Sequence, residues 1–313
     1  MPSAPAPLFL VFNAASGRGD TPDVSRHVAE RLRAAGRRAE CFVARQPGEL
    51  GAVIGRAVNA ARDARGIVVA AGGDSTLNAV AQAVWNAGLP MGVLPQGSLN
   101  YFGRTHGMST DLDAAVDALL GARVQPVPVG MVGERLFLVN ASVGLYPRLL
   151  EAGGQRHGRS RLVAWIAGLG TLLRGRSLMT LELHDGTETR VVRTRTLFVG
   201  HNDLQLRALG LREPLAAEAG RLLAITLPPA PPLATLWRML RGSIGRLDGA
   251  ARVDSFSVDR LVVQPGRGSG GMQLAIDGEL AHLPAPLVFQ LAPRPLRLLV
   301  PTAARGLPGL AAQ

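Results

Sequence analysis

Lysine is absent: all 34 basic residues of this 313-residue chain are arginine. That excludes a Walker phosphate loop, which ends on Lys, a protein-kinase fold, which needs a strand Lys, and Schiff-base chemistry, which needs a side-chain amine. Cysteine is almost absent too. Cys41 alone permits no internal disulfide and no multi-thiolate zinc or iron–sulfur site. The histidines (27, 106, 157, 184, 201 and 282) stand far apart, with no His-Glu-x-x-His pair. A bound metal is therefore expected to be a hard, oxygen-liganded ion such as magnesium. Aromatic residues make up 4% and nowhere alternate with arginine, which argues against stacking on nucleic-acid bases. No basic segment precedes the first apolar run, at 8–12, so no secretory signal is apparent. The longest lipid-like stretch, 162–173, would reach only ~18 Å as a helix, short of a ~30 Å hydrocarbon core. No membrane span is expected.

What is present reads as a globular chain long enough for two domains, with 47% apolar and 18% charged residues. The net charge of +11 favours a polyanionic partner, an anionic membrane face or a phosphorylated ligand before nucleic acid. Up to residue 125 strands and helices alternate. LFLVF (8–12) reads as a buried strand, and Thr21-Pro22 opens a helix with face Val24, Val28 and Leu32 that Gly36 stops. A strand at 39–44 precedes a helix with face Leu50, Val53, Ile54, Ala57, Val58 and Ala61. Strand 66–70, a helix over 77–87, strand 91–94 and a helix over 111–120 complete the series. This spacing implies a doubly wound parallel sheet with crossover helices. Beyond it, short β-like runs split by Gly, Pro and Asp-Gly turns predict a mostly antiparallel β-sandwich. Helical stretches near 161–174 and 233–247 interrupt them, and 306–313 reads as a loose tail. The expected domains are an α/β domain at 1–125 and a β-rich domain at 126–294.

Three small-residue loops follow strands of the first domain: Asn13-Ala-Ala-Ser16-Gly17-Arg18-Gly19, Gly72-Gly73-Asp74-Ser75-Thr76-Leu77-Asn78, and Pro95-Gln96-Gly97-Ser98-Leu99-Asn100. Between a strand and a helix N-terminus such loops turn backbone N–H groups towards an anion. Asp74 is out of place beside phosphate unless a cation offsets it, which suggests magnesium; equally, Asp74 or Ser75 could cap the helix at 77–87. A fourth motif, Asp277-Gly278-Glu279, is either a hairpin turn or a carboxylate pair for a metal or a base.

Taken together, NAASG (13–17), GGDSTLNA (72–79), PQGSLNYFGR (95–104) and DGE (277–279) resemble the diacylglycerol kinase catalytic-domain family, bacterial lipid kinases related to sphingosine kinases. PLRLLVP (295–301) matches the family's return to the first domain, so the resemblance implies a nucleotide-binding domain of 1–125 completed by 295–305 and a lipid-substrate domain of 126–294. The resemblance implies an NAD-kinase/diacylglycerol-kinase-like fold and a lipid kinase that transfers the ATP γ-phosphoryl group to a diacylglycerol-like hydroxyl, in phospholipid biosynthesis. ATP and Mg2+ would be held by Asn13, Ser16, Gly17, Gly72, Gly73, Asp74, Ser75, Thr76, Asn78, Gly97, Ser98 and Asn100. Asp74, Asp277 and Glu279 would be catalytic, with Asp74 and Asp277 as metal ligands and Asp277 or Glu279 as base. Arg18 and Arg104 would offset phosphate charge. The lipid would lie in the cleft between the domains, reached by peripheral contact with the inner membrane face. The arginines around 156–176 are one candidate for that contact, the alternative being a helix of this segment packed against the sheet. The expected location is cytoplasmic, a homodimer stays open, and no nucleic-acid partner is expected.

This chain departs from the family pattern at four places. Ser75 replaces a glycine, Ala79 a glutamate, Tyr101 an aspartate of many members, and Ala219 an aspartate tied to a second magnesium. They favour, as a rival, a catalytically impaired lipid- or nucleotide-binding member of the same fold. A soluble-metabolite kinase of the NAD kinase type shares the Gly-Gly-Asp loop, but the late Asp-Gly-Glu speaks against it.

Overall fold

A computed structural model describes residues 5–14, 21–46, 48–144, 179–185, 188–194, 196–200, 220–226, 254–265 and 271–302. The expected helical stretches near 161–174 and 233–247, Ser16, Gly17, Arg18, the arginines around 156–176, Ala219 and the tail at 306–313 lie outside them. The chain divides into two compact units, residues 1–128 with 294–313, and residues 129–293.

In the first unit β1 (Leu8–Asn13), α1 (Thr21–Ala34), β2 (Ala39–Ala44), α2 (Leu50–Asp63), β3 (Ile67–Gly72), α3 (Asp74–Ala87) and β4 (Met91–Pro95) alternate, followed by α4 (Tyr101–Thr105), α5 (Leu112–Leu120) and β5 (Arg123–Val127). β1 and β3 are apolar on both faces because helices cover both sides, as a parallel sheet requires. On one face Leu10, Phe12 and Val69 meet Val28 and Leu32 of α1 and Val116 of α5. α2 and α3 pack on each other and on β1 and β3, burying Val53, Ile54, Ala57, Val58 and Ala61 from α2. The α2 face expected from the sequence is thus the buried one, Leu50 excepted, which is half-buried.

The far end of the chain closes this sheet. β18 (Leu296–Val300) pairs parallel with β4 and antiparallel with β5, giving the order β2-β1-β3-β4-β18-β5. Two arginines of this return segment cap the C-terminus of α3. Arg294 donates to the carbonyls of Trp85 and Asn86 and lies 4.5 Å from the centroid of the Trp85 ring, whose Nε1 donates to the Arg294 carbonyl at 2.9 Å. Arg297 donates to the Gly88 carbonyl at 3.1 Å. Cations at the negative end of a helix dipole are stabilising.

Among the described residues, the second unit is a sandwich of two six-stranded sheets, in the orders β10-β9-β14-β17-β6-β7 and β13-β12-β11-β8-β15-β16. The first comprises β6 (Gly130–Val132), β7 (Arg135–Phe137), β9 (Met179–Asp185), β10 (Glu188–Thr194), β14 (Arg260–Gln264) and β17 (Leu287–Leu291). The second comprises β8 (Asn140–Gly144), β11 (Thr196–Gly200), β12 (Leu222–Thr226), β13 (Asp254–Val258), β15 (Gly271–Ile276) and β16 (Glu279–Pro284). Alternate residues such as Leu181, Leu261 and Phe289 from one sheet and Val143, Leu197 and Leu274 from the other form the shared core. Every pairing within these two sheets is antiparallel. Arg221, just before β12, pairs with Asp185 of β9 and Asp259, tying the two sheets at one end.

On the outer surface of the first unit, His27 of α1 bonds Asp113 of α5 at 2.7 Å. That hydrogen bond, with Arg31 beside it, holds the Asp113 carboxyl below its ordinary value. A depressed carboxyl stabilises the fold above its unfolded-state value and loses that contribution as pH falls through the folded one. In His27→Ala, the Asp113 titration followed by carboxyl NMR should return upward towards the ordinary range. Removing the α3 cap with Arg294→Ala should lower unfolding stability by about 1 kcal/mol in a denaturant melt.

Candidate active site

The strand order places a switch point between β1 and β3: from β1 the chain moves to β2 on one side, then returns to β3 on the other. In open α/β sheets, ligands bind outside the carboxyl ends of the strands at such a point. The end of β1 and the loops leaving β3 and β4 meet at this rim. Asn13, at the end of β1, donates from Nδ2 to Thr76 Oγ1 at 3.2 Å. The Gln96 N–H donates to the Gly72 carbonyl at 2.9 Å, extending the β3–β4 pairing into the loops. Beyond it the two loops touch backbone to backbone. A Cβ added to Gly97 would lie 2.5 Å from the Cα of Gly73, a separation that only hydrogen side chains allow.

Asn100 fixes the third loop from inside. It is 4% exposed and adopts the left-handed conformation, φ 51°, which Asn tolerates better than most residues. Its Oδ1 accepts the Gly97 N–H at 2.8 Å, and its Nδ2 donates to the Gly97 carbonyl at 2.7 Å. Both polar ends of the buried amide are thus satisfied by one residue three positions back. Ser98 and Leu99 are left exposed at the tip, Leu99 by 57%.

Asp74 does not cap α3, one of the two readings its sequence allowed. The cap of α3 is Gly73, whose extended backbone starts a helix with Asp74 as its first residue. Neither Asp74 nor Ser75 caps it. The Asp74 carboxylate instead accepts the N–H groups of Tyr101 and Phe102, each at 3.2 Å. These open α4, a short helix not expected from the sequence. A half-buried carboxylate is stabilised by positive partial charge nearby, and the first amides of α4 supply it. Asp74 therefore joins the second loop to the third. Ser75 and Asn78 lie on the half-exposed side of α3, opposite buried Leu77, Val80, Ala81 and Val84.

The Asp277-Gly278 pair is a two-residue hairpin turn between β15 and β16, with φ 47° and 88° and with Ile276 opposite Glu279. Positive φ at both positions marks the turn type that favours Asp-Gly. The Asp277 carboxylate accepts three backbone N–H groups: Leu138 at 2.7 Å, Val139 at 2.9 Å and Asn140 at 2.9 Å. These donors sit where the chain bends from β7 into β8, so Asp277 acts as the anchor of that bend. Glu279, the first residue of β16, is exposed. The two carboxylates of the motif thus have different surroundings.

Both residues expected to ligate metal are engaged with backbone amides. Asp74 and Asp277 belong to different units, and both oxygens of each already accept backbone N–H groups. Among the described residues no group of three His, Cys, Asp or Glu side chains could hold an ion. No helix among them is long and apolar enough to cross a membrane.

Residues 7–132 match the diacylglycerol kinase catalytic domain. This stretch belongs to that family. A diacylglycerol kinase from Staphylococcus haemolyticus is 29% identical over 139 residues, 43% of this chain and 41% of the relative. A Cronobacter sakazakii protein named Probable lipid kinase YegS-like is 26% identical over 194 residues, 60% of this chain and 61% of the relative. These matches span less than two thirds of either relative's length. A crystal structure of a diacylglycerol kinase from Bacillus anthracis aligns with a TM-score of 0.69 at 15% identity, covering 97% of this chain and 99% of the other. It shares the fold. The family implies a nucleotide substrate and usually a divalent metal.

Three connections within the diacylglycerol kinase domain were not anticipated: Asn13 to Thr76, Asn100 back to Gly97, and Asp74 across to α4. Only the second has a local signal, an amide side chain three residues after a glycine. The Gly73–Gly97 contact is asymmetric, because a Cβ on Gly73 would lie 3.3 Å from the Gly97 Cα, against 2.5 Å in the reverse direction. In denaturant melts Gly97→Ala should cost about 2–3 kcal/mol and Gly73→Ala under about 1 kcal/mol. Equal costs would contradict the close approach.

Proposed function

We propose that this chain is a lipid kinase that transfers the γ-phosphoryl group of ATP to the hydroxyl of a diacylglycerol-like lipid, touching an anionic membrane surface from the cytoplasmic side. The observation that carries the reading is the meeting of the end of β1 with the small-residue loops after β3 and β4 at the switch point of the first sheet, joined by Asn13, Asp74 and Asn100. The family of residues 7–132 supports it.

In this reading Gly73, Ser75 and Asn78 face the nucleotide phosphates across the first turn of α3, with buried Gly72 and Thr76 holding the loop from behind. That helix is 14 residues long and begins on Gly73, which brings no capping side chain, so its first amides can meet phosphate oxygens. Gly97, Ser98 and Asn100 shape the opposite wall, and exposed Arg104 adds a guanidinium. Such groups suit a reaction whose transition state is loose and needs alignment and charge neutralisation more than covalent help. The lipid oxygen bonds to the γ-phosphorus, the bond to the β,γ-bridging oxygen breaks, and ADP leaves. Glu279 takes the hydroxyl proton, while Asp277 holds the hairpin that carries it. Of the motif's two carboxylates, Glu279 is the one not committed to the β7–β8 bend.

A second reading, nucleotide binding without transfer, is favoured by Ala79 and Tyr101, where the family pattern carries carboxylates.

Wild-type protein given radiolabelled ATP and diacylglycerol in mixed micelles should form a labelled phospholipid. Glu279→Gln should lower that rate about 100-fold or more with an unchanged denaturation midpoint. Asp277→Asn should lower stability by about 1–2 kcal/mol, because an amide cannot accept at both ends. Wild-type protein that binds ATP and labels no lipid would support the second reading and contradict the first.

A further inference from the structure

We infer that the Tyr101 phenol is a phosphate-binding group of the first unit, its hydroxyl donating a hydrogen bond to a phosphate oxygen of the nucleotide. The inference rests on the nucleotide reading above, adds a residue to that site, and holds whether or not transfer follows.

The backbone fixes where Tyr101 stands. Its N–H donates to the Asp74 carboxylate at 3.2 Å, and its carbonyl accepts the Thr105 hydroxyl at 2.9 Å. Asp74 is itself the first residue of α3. The residue that opens α4 is therefore held against the one that opens α3, beside the close approach of Gly73 and Gly97. Phe102, next in the chain, is fully buried and meets His106 edge-on, with 4.7 Å between ring centroids. Gly103 is buried after it. These two residues define the core side of α4. Tyr101 and Arg104, three positions apart, share the other side, where Tyr101 is half-buried and Arg104 exposed.

Helix geometry then gives the direction of the ring. Each Cα–Cβ bond of a helix tilts towards the N-terminus. At the first position of α4 that tilt carries the phenol back towards the loops of the rim and the start of α3. A tyrosine so placed covers apolar surface with its ring and keeps a hydroxyl for a polar partner. A phosphate oxygen only accepts, so the hydroxyl donates to it, and a hydrogen bond to an ionised acceptor is roughly twice as strong as one between neutral groups. The ring has few rotatable bonds, so ordering it costs little conformational entropy. Tyr101 thus complements the fixed amides that open α3 and the flexible guanidinium of Arg104.

Isothermal titration of the full chain with ATP and with inorganic tripolyphosphate, for wild type and for Tyr101→Phe, tests this. Phenylalanine keeps the ring and removes the donor. The Kd of the variant should be about tenfold higher for both ligands, the scale of one hydrogen bond to a charged group, with an unchanged denaturation midpoint. Wild-type affinity for both ligands in the variant would overturn the inference and leave the nucleotide site standing. So would a loss confined to ATP, which would put the hydroxyl against the nucleoside, or a lowered midpoint, which would make it part of the fold. Wild-type protein that binds ATP and not tripolyphosphate would overturn it as well. No binding of either ligand would overturn the nucleotide reading and the inference with it.

Discussion

The contact between Gly73 and Gly97 is the constraint on which the rest of the first unit depends. Two loops that leave neighbouring strands come so close that a methyl group on the second would lie 2.5 Å from the backbone of the first. Such proximity is unfavourable unless something holds it. Here Asn100 clamps Gly97 from within its own loop, Asp74 reaches across to the amides of α4, and Gln96 continues the sheet pairing to Gly72. The rim is consequently a fixed arrangement of backbone donors, and pre-organised donors act strongly on charge without reorganising.

The same economy explains how the acidic residues are used. A carboxylate that accepts two or three amide N–H groups works as a joint. Asp74 joins two loops, Asp277 joins a hairpin to the β7–β8 bend, and Asp111 caps α5 by accepting the Ala114 N–H at 2.9 Å. Side chains that suggest cation chemistry when read in order along the chain are, in space, partners of the backbone. The arginines at the far end of α3 have the complementary task. Arg294 and Arg297 bond the last carbonyls of the helix whose first amides face the candidate site, so the return of the chain in β18 steadies that helix from behind.

Much of this was legible in the sequence because it is periodic or local. The α2 face from Val53 to Ala61, β2 at 39–44 and the helix expected over 111–120 each follow from patterns within about ten residues of chain; that Asp111 caps this helix from outside it is what the structure adds. The return of PLRLLVP to the first sheet was legible only through the family resemblance. What escaped was decided by contacts between distant segments. α4 has only five residues, too few for a helical period, and it exists where it does because Asp74, 27 residues earlier, supplies acceptors for its first amides. Asp277 read equally well as a ligand, because nothing near it announces three N–H donors lying 137 to 139 residues upstream.

The central claim, that the rim formed by these loops is where the nucleotide phosphates bind, is tested most directly by backbone amide NMR of the full chain with and without ATP. The account predicts that the amide shifts of Gly72 to Thr76 and Gly97 to Tyr101 change together as ATP is added, while those of β2 and β5 at the sheet edges stay in place. Shift changes confined to other residues, with these two segments unmoved, would contradict it.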